Sequence, residues 1–172
     1  MAYIIWFTGL PSSGKTTLGG KLTDYMRGLG VEVEWMDSDV LRRVLTPKPS
    51  YSLEERDWFY NVLIWLAKRF YSHGINVVIS ATGNKRIYRD TLRGMVDNFI
   101  EIYLKCDLKV CIERDVKGVY KMGLDGLSKT VPGIGVSYEE PQKPEITIET
   151  DKYDVDESFN ILIEKLRGLG VI

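Results

Sequence analysis

The chain has 172 residues, with 23 basic against 24 acidic side chains, a net charge of −1 and 44% hydrophobic residues. That length suits one domain with a single sizeable core. The balanced charge excludes a broad electrostatic surface for nucleic acid or membrane, and no stretch approaches the ~20 apolar residues of a membrane span.

Residues 3–8 are a short apolar run ended by Gly9, which predicts a buried strand. The run lacks a basic flank and is too short for a signal peptide, so the cytoplasm is the expected location. Gly9-Leu10-Pro11-Ser12-Ser13-Gly14-Lys15-Thr16 follows at once and matches G-x-x-x-x-G-K-T. Residues 16–29 then carry Leu18, Leu22, Tyr25, Met26 and Leu29 at helical spacing, with Gly28 and Gly30 as stops. Strand, glycine-rich loop and helix in that order form the setting in which this motif cradles phosphates. Gly9 and Gly14 allow an approach that a Cβ would hinder. The loop amides converge on phosphate oxygens, and the helix N-terminus adds positive potential. Lys15 is placed for the β- and γ-phosphates of ATP and Thr16 for Mg²⁺.

A second strand is expected at 32–36, followed by Asp37-Ser38-Asp39-Val40-Leu41-Arg42-Arg43. Ligands of open parallel sheets lie beyond the carboxyl ends of the strands, so Asp37 and Asp39 fall near the phosphate loop. One carboxylate can organise Mg²⁺ and the other can orient an acceptor hydroxyl for in-line attack. Asp39 precedes Arg42 on one helical face, which favours Asp39 as base and Asp37 as metal organiser. Arg42 would hold an anionic group of the acceptor. The alternative is a helix N-terminus whose acids merely suit its dipole.

Residues 53–72 read as a long helix, with Ser52 as N-cap and Glu55 completing a capping box. The β-branched run at 76–80 predicts a central strand. A helix at 87–97, a strand at 99–104 and a helix at 108–114 capped by Asp107 follow. Cys106 and Cys111 read as two free buried thiols, a short-loop disulfide being the alternative. Residues 115–144 are rich in Gly, Pro and Lys and lack a period, which suggests a lid. A strand at 145–149 and a helix at 155–169 close the chain. Strands alternating with helices imply an α/β fold, a mainly parallel sheet of about five strands covered on both faces.

The ordered motifs resemble the adenylylsulfate kinase (APS kinase) family of P-loop kinases over nearly the whole chain. Gly9 through Thr17 match G-L-x-x-S-G-K-T-T, and Asp37, Asp39 and Arg42 match D-x-D-x-x-R. Tyr51 through Arg56 resemble F-S-x-E-D-R, and Glu113 through Tyr120 resemble E-x-R-D-P-K-G-x-Y. Gly133, Ile134, Tyr138, Glu139 and Pro141 match G-I-x-x-x-Y-E-x-P, and Pro144, Glu145 and Ile146 the closing P-E-I. The resemblance implies a three-layer P-loop kinase fold in one domain, 1–172, with a lid at about 115–140. It implies transfer of the ATP γ-phosphate to the 3′-hydroxyl of adenosine 5′-phosphosulfate (APS), with Mg²⁺. The implied nucleotide contacts are Gly9, Leu10, Pro11, Ser12, Ser13, Gly14, Lys15, Thr16, Thr17 and Arg114, with Thr16 and Asp37 on the metal. The implied acceptor contacts are Asp37, Asp39, Arg42, Tyr51 stacked on the adenine, Arg56, Lys117 and Ile134. A small molecule is the implied partner; a homodimer and a functional link to ATP sulfurylase are compatible with it.

Three positions depart from the family pattern. Phe59 stands where many members carry Asn, and Val131 where a lid aromatic sandwiches the adenine. Gly83 stands where some members carry a serine linked to a phosphoenzyme, so transfer here is expected to be direct. Asn84 and Lys85 are candidates for replacement contacts. Two other readings share these motifs. One is another P-loop kinase, of the gluconate, antibiotic-modifying or seryl-tRNA type; the other is a non-catalytic ATP-binding module that regulates a partner such as ATP sulfurylase.

Overall fold

The computed structural model describes residues 1–172 throughout. Five strands form one parallel sheet: β1 Ile4–Thr8, β2 Val33–Asp37, β3 Asn76–Ser80, β4 Phe99–Lys105 and β5 Ile146–Glu149, in the order β2-β3-β1-β4-β5. The helices are α1 Lys15–Gly28, α2 Ser38–Leu45, α3 Leu53–Ser72, α4 Arg86–Arg93, α5 Leu108–Arg114, α6 Val119–Leu124 and α7 Val155–Gly168. None is long and apolar enough to cross a membrane.

Two cores explain the layers. Ile5, Phe7, Val78, Ile102 and Leu104 point to one sheet face and meet Leu18, Leu22 and Met26 of α1 and Leu162 and Leu166 of α7. Ile4, Trp6, Met36, Val77 and Ile79 point to the other and meet Phe59, Leu63 and Ala67 of α3 and Tyr88 and Leu92 of α4. Alternate residues of each strand thus feed opposite faces, so a strand covered twice reads as a continuous apolar run.

The structure corrects several details of the sequence reading. The middle place in the sheet belongs to β1, with β3 between it and β2; burial on both faces marks both strands alike. The helix expected at 87–97 is Arg86–Arg93 and stops at Gly94. Only half of the expected capping box forms on α3: Ser52 accepts from the Glu55 amide, while Glu55 accepts from Ser50 and Tyr51 instead. The complete box is Asp154 with Glu157, on α7. The segment expected to be a lid, residues 115–144, contains α6, a short helix whose flanking Gly118, at φ +66°, and internal Gly123 hid its pattern. Cys106 and Cys111 are both free and buried.

Candidate active site

The carboxyl ends of β1, β2 and β4 open onto one end of the sheet, and the phosphate loop lies there. Gly9 adopts φ +154°, and a Cβ on it would meet the Leu104 carbonyl oxygen at 2.6 Å and Ser13 Oγ at 2.7 Å. Gly14 at φ +103° turns the chain into α1, and Ser12 takes φ +63° without being glycine. Thr150, just past β5, donates to the Ser13 carbonyl at 2.8 Å. Arg114 donates to the Thr150 carbonyl at 2.6 Å, so it braces this flank of the loop. Lys15 Nζ donates to the carbonyls of Gly9 at 3.0 Å and Leu10 at 2.7 Å, at the centre of the cradle. Packing around that ammonium pushes its pKa down to about 8; Asp39 opposes the shift and Lys117 adds to it. Leu10, Pro11 and Ser12 complete the loop, and Thr17 lies exposed on α1 beyond it.

Asp37 ends β2 and caps α2. Its Oδ1 accepts from the amides of Asp39 at 2.9 Å and Val40 at 3.3 Å, which leaves Oδ2 to accept from Thr16 Oγ1 at 2.7 Å. A hydroxyl and a carboxylate oxygen held together at a phosphate cradle suit Mg²⁺. That ion ordinarily uses one or two protein oxygens plus phosphates and water. Asp39, in the first turn of α2, forms an ion pair with Lys117.

The residues expected on the acceptor side gather beside this centre. Arg42 on α2 stacks over Phe59 at 4.0 Å and lies 5.1 Å from the centre of the Tyr51 ring. Its Nη1 is buried and 3.6 Å from Glu55 Oε1, too far for a hydrogen bond, so this donor has no partner. Arg56 is 6% exposed; its Nη2 donates to the Thr130 carbonyl of the lid at 2.7 Å, and its Nη1 also has no partner. Desolvation lowers the Arg56 pKa. Two sequestered cations with unused donors create a site that favours an anion. Tyr51 adopts φ +53°, an uncommon conformation for a bulky residue, and keeps its ring over Arg42.

The segment at 115–140 packs on the loop. Tyr120 Oη donates to the Pro11 carbonyl at 2.9 Å, and a Cβ on Gly133 would meet Leu10 at 3.0 Å. Ile134 follows in the same turn, its side chain against Gly123. Val131 is 3% exposed among Cys106, Cys111 and Tyr120, so it fills a small lid core instead of presenting an apolar face to an adenine. Phe59 is likewise a support for Arg42, fully buried. Gly83 has φ +53°, and a Cβ there would meet Trp6 at 3.1 Å and Arg89 at 3.3 Å. Asn84 and Lys85, the candidate replacement contacts, are both engaged within the chain. Asn84 binds the Ser137 carbonyl and accepts from the Glu139 amide, while Lys85 pairs with Asp57 at 2.6 Å.

Sequence reasoning missed Arg89. It is 1% exposed, its Nε lies 2.7 Å from Glu101 Oε1, and its other nitrogens reach the Gly83 carbonyl, Thr8 Oγ1 and the Glu139 carbonyl. It thereby ties β1, β4, α4 and the returning end of the lid together. The signal was Glu101, an acid in a strand covered on both faces, which needs a buried cation.

A family model described as adenylylsulphate kinase matches residues 1–149. The chain belongs to that family. It is 39% identical over 155 residues to a probable adenylyl-sulfate kinase of Archaeoglobus fulgidus, covering 90% of this chain and 99% of that one. It is 38% identical over 168 residues to the adenylyl-sulfate kinase of Rippkaea orientalis, covering 98% of this chain and 93% of the relative. Among solved structures, APE1195 superposes with a TM-score of 0.86 at 30% identity, over 98% of this chain and 96% of that one. The Mycobacterium tuberculosis APS kinase CysC, in complex with AMPPNP and APS, has the same fold with a TM-score of 0.86 at 24% identity, over 96% and 98% of the two chains.

Proposed function

We propose that this chain transfers the γ-phosphoryl group of ATP to the 3′-hydroxyl of APS, giving 3′-phosphoadenosine 5′-phosphosulfate. The observation that carries the acceptor reading is the pair Arg42 and Arg56, each with a buried Nη1 that makes no hydrogen bond, set beside Asp39 at the end of the sheet. A neutral sugar has no anion to satisfy two such donors and gluconate has a single carboxylate; the phosphosulfate of APS offers two adjoining anionic groups.

The chemistry follows from position. The loop amides and Lys15 would hold the triphosphate, and Thr16 with Asp37 would hold Mg²⁺, which would neutralise charge on the transferring group. Asp39 accepts a hydrogen bond from the acceptor hydroxyl and aims it in line. Lys117 and the lid turn that carries Ile134 close over the phosphates, and Arg114 braces the flank of the loop. Closure keeps water from the γ-phosphate. Tyr51 supplies a ring for the acceptor base. Gly83 offers no hydroxyl, so the phosphoryl group passes directly to the acceptor. We read residues 1–172 as one kinase domain with its lid at about 115–140, acting in the cytoplasm, a compartment that suits two free thiols. A working link to ATP sulfurylase extends this reading. A Sorangium cellulosum relative is named a probable bifunctional SAT/APS kinase and is 34% identical over 170 residues, 29% of its own length.

The test is ADP release from MgATP with a panel of acceptors: APS, gluconate, an aminoglycoside and a seryl-tRNA. APS alone should accelerate release, with a 3′-phosphorylated product. Acceleration by another acceptor, with none by APS, would refute the assignment.

A further inference from the structure

Thr150 stands just past β5, buried, and all three of its polar groups are engaged. Its amide donates to the Lys105 carbonyl at 2.9 Å, which extends the pairing of β5 with β4 by one residue. Its carbonyl accepts from Arg114 at 2.6 Å, and its hydroxyl donates to the Ser13 carbonyl at 2.8 Å. Ser13 is itself fully buried. Two main-chain anchors and a β-branched side chain with few rotamers fix the direction of that hydroxyl.

The bond acts on a peptide that is otherwise free to turn. Gly14 follows Ser13 at φ +103°. Rotating the Ser13–Gly14 peptide plane changes only the ψ of Ser13 and the φ of Gly14, and glycine accepts either sign of φ. A trans peptide points its C=O and its N–H in opposite directions. Holding the Ser13 carbonyl toward Thr150 therefore sends the Gly14 N–H the other way. That N–H makes no main-chain hydrogen bond, and Gly14 is the N-cap of α1, so it joins the free amides at the head of the helix. We propose that Thr150 is a positioning residue for the nucleotide: its hydroxyl fixes the peptide orientation that delivers the Gly14 amide to phosphate.

Ser80, at the end of β3, supplies the contrast. Its hydroxyl donates to the Lys15 carbonyl at 3.0 Å and accepts from Trp35 Nε1 at 3.1 Å. The Lys15 carbonyl lies in the first turn of α1, where helix geometry already sets it along the axis. Ser80 therefore braces a peptide that cannot flip, and Thr150 braces one that can. The proposal concerns the nucleotide alone and holds whichever acceptor the enzyme uses.

Thr150→Val keeps the shape of the side chain and removes the donor. Calorimetric titration of the full chain with MgADP should show the dissociation constant rise about tenfold, the loss of one amide–phosphate hydrogen bond. Thr150→Ser keeps the hydroxyl and should stay within about threefold of the parent, as should Ser80→Ala. The Gly14 amide proton resonance should shift on addition of MgADP to the parent and to Thr150→Ser, and should hold its place in Thr150→Val. Thermal melting shows which variants fold; Thr150→Ala, which also lacks the donor and cannot crowd Ser13, gives the same reading if the valine variant does not. Unchanged MgADP affinity in a folded variant without the hydroxyl, a Gly14 resonance that shifts there as in the parent, a Thr150→Ser variant that binds no better than Thr150→Val, or an equal loss in Ser80→Ala would each overturn the proposal.

Discussion

Replacing Arg42 by alanine separates the acceptor site from the nucleotide site. Arg42 holds one buried Nη1 with no partner and a guanidinium stacked 4.0 Å from the Phe59 ring. A charge-assisted hydrogen bond to an anion contributes about 1.5–3 kcal/mol. Its loss lowers kcat/KM for APS by about 10-fold to about 150-fold. The phosphate loop keeps its own contacts through Lys15, Thr16 and Asp37, so the ATP dissociation constant should stay within about threefold. Losing the stack costs folding stability as well, by about 1 kcal/mol. Arg42→Lys should recover little, because lysine keeps the charge but neither the planar face nor the fork. Steady-state kinetics with varied APS at saturating ATP, alongside calorimetric ATP titration, measure both quantities. Unchanged APS kinetics in Arg42→Ala would refute the acceptor assignment. An equal loss of ATP affinity would show that Arg42 acts on the nucleotide side.

Other outcomes follow from the same structure. Burial sets the Lys15 pKa at about 8, so its charged form is lost as pH rises through that value. ATP affinity should therefore be flat below pH ~8 and fall by up to about tenfold per pH unit above it, with proton uptake on binding; calorimetry in two buffers detects both, and a flat profile up to pH ~10 would contradict it. Gly83→Ser places a side chain at φ +53° against Trp6 and Arg89. It should lower Tm by roughly 2–8 °C, from a cost of about 1–2 kcal/mol, and retain no label from γ-labelled ATP after denaturation. Arg89→Met leaves the buried Glu101 carboxylate with Arg93 alone, at 3.1 Å, and urea unfolding should register a loss of about 3 kcal/mol. A loss below about 1 kcal/mol would mean that the Arg89 cluster is not a structural tie.

The sequence by itself determined what depends on local pattern. The phosphate loop is legible because only glycine tolerates the approach at Gly9, and a strand before and a helix after fix its setting. Helix α3 is legible from Ser52 to Ser72 because its cap and its periodicity are both local. The pairing of Asp37 with Thr16 was expected from the rule that sites lie beyond strand ends, and the 2.7 Å contact agrees. Tertiary structure decided what depends on neighbours far along the chain. The roles of Phe59 and Val131 followed from what packs on them: one supports Arg42, the other fills the lid core. Nothing local set Arg89 apart from the other arginines of α4; Glu101, twelve residues on in β4, meets it only in the folded chain. Burial is a property of the assembled layers, and a hydropathy pattern records only which face a residue shares. It does not record whether an arginine on that face ends in water, in an ion pair or in a substrate site.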